Sequence, residues 1–307
     1  MSRGRRRAHP LAAKARRLGI RFPQPFYWTS DQIEALKERE QLRGVSPYFL
    51  EPSEARSEIL ATGRVDFVVE GDSWFNHPLL EDVVDCLKRD GYTIAGSYLP
   101  GEYLREMVER KRYLEPLKDF SGRAVLLSGG GNDLIDWRRT AEGVSAVFRN
   151  GAPSTSPKDY VVMSEIDAAM NETARLLGIF VSDVRGVQKN VRIATHFYDV
   201  IEPRWHWGWS WIHPQLETLG VPRNQPLRNG IAALLIEAAN KHYAATCADL
   251  GITFASMLGI VKGRWFDEIH PKNAAFREIA TRLANAAVRA TRSRNRSRPR
   301  KPRRQSP

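Results

Sequence analysis

The feature of this sequence that most constrains its fold is a repeated alternation between short β-branched or apolar runs and longer stretches with helical periodicity. Five runs are candidate strands, namely Val65–Val69, Tyr92–Gly96, Ala124–Leu127, Val191–Thr195 and Ile252–Ala255. The candidate helices are Leu79–Lys88, Tyr103–Arg110, Val161–Leu177, Asn229–Asp249 and Ala274–Ala290. Strands that alternate with helices predict βα units, a parallel sheet and right-handed crossovers. Ligands bind beyond the carboxyl ends of such strands, so chemistry is expected in the loops that follow them.

Charge is distributed unevenly along the 307 residues. Residues 1–22 contain eight Lys or Arg and residues 289–307 contain nine, and neither segment contains Asp or Glu. Subtracting these 17 charges from the net +12 leaves −5 for the residues between them. We therefore predict basic disordered tails over 1–22 and 289–307, a helical accessory segment over 23–64, and one α/β domain over 65–288.

Composition and motifs exclude several classes of protein. No apolar run approaches the ~18 residues of a membrane span, and the basic start lacks the apolar region of a secretory signal. Cys86 and Cys247 form no C-x-x-C pair, which argues against a disulfide framework or a cysteine metal site and predicts two buried apolar side chains. These features predict a cytoplasmic protein, with an organellar transit peptide as the weaker alternative.

A serine follows the first candidate strand directly. The run VDFVV passes through Glu70 into Gly71-Asp72-Ser73-Trp74, and a helix led by Pro78 is expected next. Gly71 permits a sharp turn, which places the Ser73 hydroxyl at the top of the sheet, near the positive end of that helix. The alternative is a turn serine that only caps the next helix. The G-x-S-x-G elbow of α/β-hydrolases is absent from the sequence.

Glycines and an asparagine follow the third candidate strand. The run Ser128-Gly129-Gly130-Gly131-Asn132-Asp133 predicts positive φ angles or a close approach of the backbone to another group. The Asn132 amide should then lie at the same edge of the sheet as Ser73. A P-loop is excluded because no Lys-Ser/Thr pair follows, and the spacing excludes the dinucleotide fingerprint. No cofactor is expected.

The segment before the last candidate helix combines a carboxylate with an imidazole, in Asp267-Glu268-Ile269-His270-Pro271. The spacing lets the Asp267 carboxylate turn back and accept the His270 N–H, which leaves the other ring nitrogen as a base. The alternative is a structural histidine at a helix start. A serine, an asparagine and an Asp-x-x-His pair, each expected at a strand end, occur in this order, and chance agreement of three such elements is not expected. No metal is expected.

These blocks resemble those of the SGNH hydrolases, also called the GDSL esterase and lipase family. The resemblance is carried by Gly71-Asp72-Ser73, Gly130-Gly131-Asn132-Asp133 and Asp267-Glu268-Ile269-His270-Pro271. It spans about Val65 to Val288 and implies a flavodoxin-like three-layer α/β/α sandwich with a five-stranded parallel sheet. It also implies a triad in which Ser73 is the nucleophile, His270 the general base and then acid, and Asp267 the residue that orients His270.

The same resemblance implies an oxyanion hole formed by the N–H of Ser73, the N–H of a glycine after the second strand, and the Asn132 amide. The segment after the second strand offers Gly96 and Gly101, and between them an unusual Tyr-Leu-Pro replaces the short polar loop that the resemblance implies. We select Gly101, because it directly precedes a helix and its N–H would have the helix dipole behind it. Gly96 is the alternative, although it could simply end the strand.

Further residues are candidates for the substrate pocket, namely Asp72, Trp74, His196 and Tyr198. For His196 the alternative is a structural role, and Asp72, like Asp133, is expected to organise its turn rather than react. The tryptophans at 205, 207, 209 and 211 would share one face of an extended segment. They form either a loop packed against the domain or a hydrophobic lid or sugar-stacking wall over the site.

The leading functional hypothesis is a serine esterase that cleaves a carboxylic ester, in a small molecule or an acylated carbohydrate or lipid, through an acyl-enzyme. The alternative is a polyanion-binding protein whose basic tails bind nucleic acid without sequence preference, with the α/β domain as scaffold. In a further alternative the tails bind nothing and are disordered segments that aid solubility. A membrane-surface anchor around Leu11 to Phe22 has too few apolar residues to rank high.

Overall fold

The computed structural model describes residues 64–77, 80–150, 154–204 and 210–289. The predictions for the tail over 1–22, the accessory segment up to residue 63 and the C-terminal tail from residue 290 lie outside these residues. So do those for the tryptophans at 205, 207 and 209. None of the helices in the described part is both long enough and apolar enough to span a membrane.

A five-stranded, fully parallel sheet forms the middle layer, with the strand order β2-β1-β3-β4-β5. Its strands are β1 (Phe67–Gly71), β2 (Ile94–Tyr98), β3 (Ala124–Ser128), β4 (Ile193–His196) and β5 (Thr253–Ala255). The predicted α/β fold with a five-stranded parallel sheet is confirmed, and the order is that of flavodoxin-like proteins. Every residue of the first four strands is buried, as expected for a sheet covered by helices on both faces.

Helices form the two outer layers. In the described part they are α1 (Val83–Arg89), α2 (Leu104–Arg110), α3 (Gly131–Ile135), α4 (Met163–Val187), α5 (His213–Thr218), α6 (Gln225–Asp249) and α7 (Asn273–Arg289). Helices α1 and α7 pack against each other, and α4 packs against both α2 and α6. The two free cysteines are buried in α1 and α6, which confirms the prediction made for them.

Several helix boundaries differ from the predictions, because caps and packing decide them. Helix α1 begins at Val83 rather than Leu79, since the Asp82 carboxylate accepts the N–H groups of the first turn in a capping box. Helix α4 continues to Val187 instead of ending at Leu177, because its apolar stripe stays buried through the additional turns. The short helices α3 and α5 were not predicted.

The strand register brings the functional loops to one edge of the sheet. Tyr98, Gly71, Ser128, His196 and Ala255 occupy one row across the five strands. These residues end their strands, so the loops that follow all leave the sheet at the same edge. The loops that carry the candidate serine, glycine and asparagine are therefore neighbours in space.

Candidate functional site

The turn after β1 is held by the Asp72 carboxylate. Its Oδ1 atom accepts the Ser128 hydroxyl at 2.8 Å and the Trp74 N–H at 3.1 Å, and its Oδ2 atom accepts the Tyr198 hydroxyl. Asp72 therefore joins the ends of β1, β3 and β4, in keeping with the turn-organising role expected for it. Burial raises the pKa of Asp72, and these hydrogen bonds oppose that rise.

Ser73 lies in this turn and is 4% exposed. The expected helix immediately after it is absent, because α1 begins only at Val83, so the predicted contribution of that helix dipole does not apply. The alternative that Ser73 caps the next helix is also wrong, since the cap is Asp82. The Ser73 hydroxyl instead forms a hydrogen bond with His270.

A continuous line of hydrogen bonds joins Ser73, His270 and Asp267. The Ser73 Oγ atom lies 2.9 Å from His270 Nε2, and His270 Nδ1 lies 2.7 Å from Asp267 Oδ2. The second carboxylate oxygen of Asp267 accepts the backbone N–H groups of Ile269 and His270 at 2.9 and 2.8 Å. His270 and Asp267 are almost fully buried. The arrangement can pass a proton from a serine hydroxyl to a buried imidazole whose orientation a carboxylate fixes.

The glycine run after β3 is required by its surroundings. Gly130 has φ +97° at the start of α3, and a side chain at Gly131 would overlap the ring of Tyr198. Both reasons expected for the run, positive φ and close approach, therefore occur. The Asn132 Nδ2 atom donates to the Glu102 carbonyl at 3.0 Å, so one amide hydrogen ties the loop after β3 to the loop after β2.

The loop after β2 contains the two glycines considered as oxyanion donors. Gly96 lies inside β2, where a side chain would overlap the Val69 carbonyl of β1, so packing of the sheet accounts for it. Gly101 lies in the loop with φ +74°. It does not directly precede a helix as expected, because Glu102 and Tyr103 intervene before α2. The argument from the helix dipole is therefore weaker for Gly101. Gly101 nevertheless adjoins Glu102, whose carbonyl accepts the Asn132 amide, and this position favours Gly101 over Gly96 as the candidate oxyanion donor.

Two carboxylate side chains, those of Glu102 and Asp133, fix the loop after β2. The Glu102 carboxylate pairs with Arg110 at 2.9 Å and also with Arg112. The Asp133 carboxylate accepts the Leu104 N–H at 2.8 Å, at the first residue of α2. Burial raises the pKa of Asp133 to about 6, and the Leu104 N–H opposes that rise. The loop after β2 is therefore anchored both to its own helix and to α3.

Comparisons with known proteins concern the fold. No family model and no curated protein matches the sequence. A lipase from a goat rumen metagenome is 14% identical, with a TM-score of 0.49 over 73% of this chain and 98% of that one. An extracellular lipase from Streptomyces rimosus is 13% identical, with a TM-score of 0.47 over 72% and 99%. A member of the lipolytic G-D-S-L family from Veillonella parvula is 12% identical, with a TM-score of 0.42 over 72% and 97%. The roles of the residues rest on the geometry alone.

Two residues near His270, His77 and Glu268, were not singled out from the sequence, whereas Trp211 was predicted only as part of the tryptophan segment, either in a loop packed against the domain or in a lid over the site. The His77 ring lies 4.4 Å from the His270 ring, centre to centre, and burial together with the neighbouring His270 holds the pKa of His77 well below its usual range. The Trp211 ring packs edge-on against His270 at 5.2 Å. Glu268 accepts the N–H groups of Ile212 and His213 at 2.8 and 2.7 Å. The sequence signal for Glu268 was its position within the Asp-x-x-His motif.

Glu268 therefore points away from the reacting groups and anchors the start of α5. Glu268 also accepts the Trp211 N–H, so one of the two residues between Asp267 and His270 in sequence holds an indole against the imidazole. On the other side, the Trp74 Nε1 atom donates to the Ile269 carbonyl at 3.1 Å. The loop that carries His270 is thus fixed from both sides, which limits the movement of the imidazole.

The candidate pocket residues separate into two groups. Asp72, Trp74 and Tyr198 line a cavity beside Ser73 and Asn132. His196 is not among the lining residues, and its fully buried ring is stacked on Trp74 at 5.3 Å. Burial lowers the pKa of His196 to about 4, so the ring is neutral at neutral pH. The structural alternative stated for His196 fits this placement better than contact with a substrate.

One group of side chains in the described part has the composition of a metal site. Ligand atoms of His77, Asp267 and His270 all lie within 4.8 Å of one another, and all three residues are buried. Asp267 and His270 are already bonded to each other, and His270 also contacts Ser73. In this arrangement the imidazole and the carboxylate already serve each other and Ser73 as hydrogen-bond partners.

Proposed function

We propose that the chain is a serine hydrolase that cleaves carboxylic esters through an acyl-enzyme on Ser73. The observation that supports this most directly is the hydrogen-bonded line from Ser73 Oγ through His270 to Asp267, with distances of 2.9 and 2.7 Å. A serine hydroxyl is a weak nucleophile until a base removes its proton as it attacks. The line supplies such a base and a carboxylate that keeps its free nitrogen directed at the hydroxyl.

In the first half of the reaction Ser73 Oγ attacks the ester carbonyl carbon, and its proton passes to His270 Nε2. The imidazolium that forms is stabilised by the buried Asp267 carboxylate. Collapse of the tetrahedral intermediate breaks the bond to the alcohol oxygen, which takes the proton from His270 Nε2. The products of this half are the free alcohol and an acyl group on Ser73, with His270 neutral again.

In the second half water takes the place of the alcohol. His270 Nε2 removes a proton from the water as its oxygen attacks the acyl carbon, and the same proton then returns to Ser73 Oγ as the acyl bond breaks. The carboxylic acid leaves, and the starting protonation states are restored. Each half therefore needs the same imidazole as base and then as acid.

The negative charge that develops on the carbonyl oxygen needs donors. Asn132 Nδ2 uses one hydrogen for the Glu102 carbonyl and keeps the other for the oxyanion. The N–H groups of Ser73 and Gly101 have no hydrogen-bond acceptor within the described residues, so both are available as the other two donors. Donors fixed before the reaction stabilise the intermediate more than the neutral ester.

The test uses p-nitrophenyl acetate with the wild-type chain, Ser73→Ala and a matched control, Ser145→Ala. Ser145 is also fully buried, but its hydroxyl donates to the Trp137 carbonyl. We expect Ser73→Ala to lower kcat by at least about 10⁴-fold, while Ser145→Ala keeps wild-type turnover. A fluorophosphonate should label the wild type and Ser145→Ala at Ser73, with loss of fluoride, and leave Ser73→Ala unlabelled.

A wild-type chain that releases no more p-nitrophenol than Ser73→Ala would contradict the proposal. Labelling at a different serine would contradict the assigned nucleophile while leaving hydrolase activity in place. Thermal melting curves of all three proteins confirm that the comparison is made between folded chains.

A further inference from the structure

A cavity opens beside the proposed nucleophile. Its lining contains Ser73 and Asn132. When an ester carbonyl contacts both residues, either the acyl group or the alcohol group of the ester therefore lies at the mouth of the cavity. The rest of the lining comes from the turn after β1, from α3, from Ile236 of α6, and from the loops around Tyr198 and Ile269.

The walls of this cavity offer almost no polar partner. Asp72 and Tyr198 are its polar members apart from Ser73 and Asn132, and they are hydrogen-bonded to each other. The remaining side chains are aliphatic or, for Trp74, an indole whose N–H is already used by the Ile269 carbonyl. A polar or charged substituent would lose its hydration here without gaining a partner, so the cavity suits an apolar group.

The position of His270 decides which side of the ester enters. The leaving alcohol oxygen must take a proton from His270 Nε2, so the alcohol has to lie on the His270 side. His270 does not line the cavity, although its neighbour Ile269 does. The alcohol therefore points away from the cavity, and the acyl group points into it.

We infer, resting on the proposed function, that this cavity is the acyl subsite and that the natural substrates are esters of short, unsubstituted aliphatic acids, acetate foremost. The inner space holds little more than one water-sized group, which fits the methyl group of an acetyl better than a longer chain. Ile236 is one of the side chains that bound this space, and it comes from α6, a helix that contributes none of the proposed reacting groups. It is a specificity-determining residue rather than a catalytic one.

The experiment measures kcat/KM for p-nitrophenyl acetate, butyrate and hexanoate in the wild type, Ile236→Ala and Ile236→Val. The wild type should prefer acetate over hexanoate by about 10- to 100-fold. Ile236→Ala should reduce that preference by at least about 10-fold, with Ile236→Val in between. Because the ratio is taken on one preparation, a variant that folds only in part still reports its specificity.

Two controls complete the design. Ile231→Ala removes a fully buried isoleucine of the same helix that does not line the cavity, and it should leave the acetate preference unchanged. Methyl, butyl and hexyl acetate lengthen the alcohol instead of the acyl group, and their relative rates should be the same in Ile236→Ala as in the wild type.

The outcomes separate this inference from the proposed function. Hydrolysis that depends on Ser73 but shows the same chain-length ratio in Ile236→Ala and Ile231→Ala overturns the acyl subsite and leaves the hydrolase in place. A shift confined to the alcohol series overturns it as well, because the cavity then holds the alcohol. Absence of any hydrolysis that depends on Ser73 overturns both proposals.

Discussion

Asn132 is the single residue whose replacement best separates stabilisation of the transition state from binding of the ester. One of its amide hydrogens is held by the Glu102 carbonyl at 3.0 Å, which orients the other towards the proposed oxyanion. We predict that Asn132→Ala lowers kcat for p-nitrophenyl acetate by about 10²- to 10³-fold with little change in KM. The reason is that this hydrogen bond strengthens only as charge develops on the carbonyl oxygen. Steady-state kinetics provide the measurement.

A second asparagine serves as the control for this prediction. Asn224 caps α6 by accepting the Leu227 N–H at 3.2 Å, away from the proposed site. Asn224→Ala should lower the free energy of unfolding by about 1 kcal/mol and leave kcat unchanged. Equal kcat values for Asn132→Ala and the wild type would remove Asn132 from the oxyanion hole.

Individual residues of the candidate site differ in how far the sequence predicts them. Ser73 and Asn132 each belong to a recognisable pattern at a strand end, and the Asp267 to His270 pair belongs to one just before the last helix. The structure brings the serine, the imidazole and the carboxylate into one hydrogen-bonded line. The contacts of Trp211 with His270 depend on how α5 packs against the last loop, which no local pattern encodes. The wrong expectation for the helix after Ser73 has the same origin, because a buried Asp82 sets its start.

At the scale of elements, the strands were predictable because each is a short apolar run followed by a polar or glycine-containing loop. The first two begin and end two residues later than predicted, since Glu70 and Ser97 are buried within β1 and β2 despite being polar. Burial of a polar residue inside a sheet depends on neighbouring strands and helices. The sequence therefore predicts the order and type of elements better than their ends.

The end of β4 carries a pH-dependent contribution to stability. Burial lowers the pKa of His196 to about 4, compared with about 6.5 in an unfolded chain. The folded chain therefore binds fewer protons than the unfolded chain between these values, and the contribution present above about pH 6.5 is lost as the pH falls towards 4. We predict that the wild type loses on the order of 2 kcal/mol more unfolding free energy than His196→Gln between pH 7.5 and pH 5.0.

Urea unfolding at the two pH values provides this measurement. Acid effects from other groups, including the buried His77, are common to both proteins and cancel in the comparison. Trp74→Phe is the control, because it alters the ring stacked on His196 without removing a titrating group, so its loss between the two pH values should match that of the wild type. An equal loss in His196→Gln and the wild type would show that His196 does not titrate in this range.

At the scale of the whole molecule, the charge pattern separates the proposed chemistry from the basic ends. The net charge of +12 consists of 17 positive charges in the first 22 and last 19 residues and −5 for the rest. The proposed reacting groups all belong to the acidic part of the chain. An acidic body repels a polyanion, so any affinity for nucleic acid has to come from the ends.

Replacing every Lys and Arg in residues 1–22 and 290–307 by Gln tests this separation while keeping the chain length. We predict that the variant loses its retention on a short DNA duplex at low salt and that the dependence of affinity on salt nearly disappears, because each phosphate contact contributes about 0.9 to that slope. Its kcat/KM for p-nitrophenyl acetate should stay within about twofold of the wild type, since a neutral ester is not steered by charge. Fluorescence anisotropy with labelled DNA and parallel ester assays measure the two properties. Undiminished DNA affinity in the variant would refute a polyanion-binding role for the ends, whereas a matching loss of ester hydrolysis would mean that the ends contribute to the site itself.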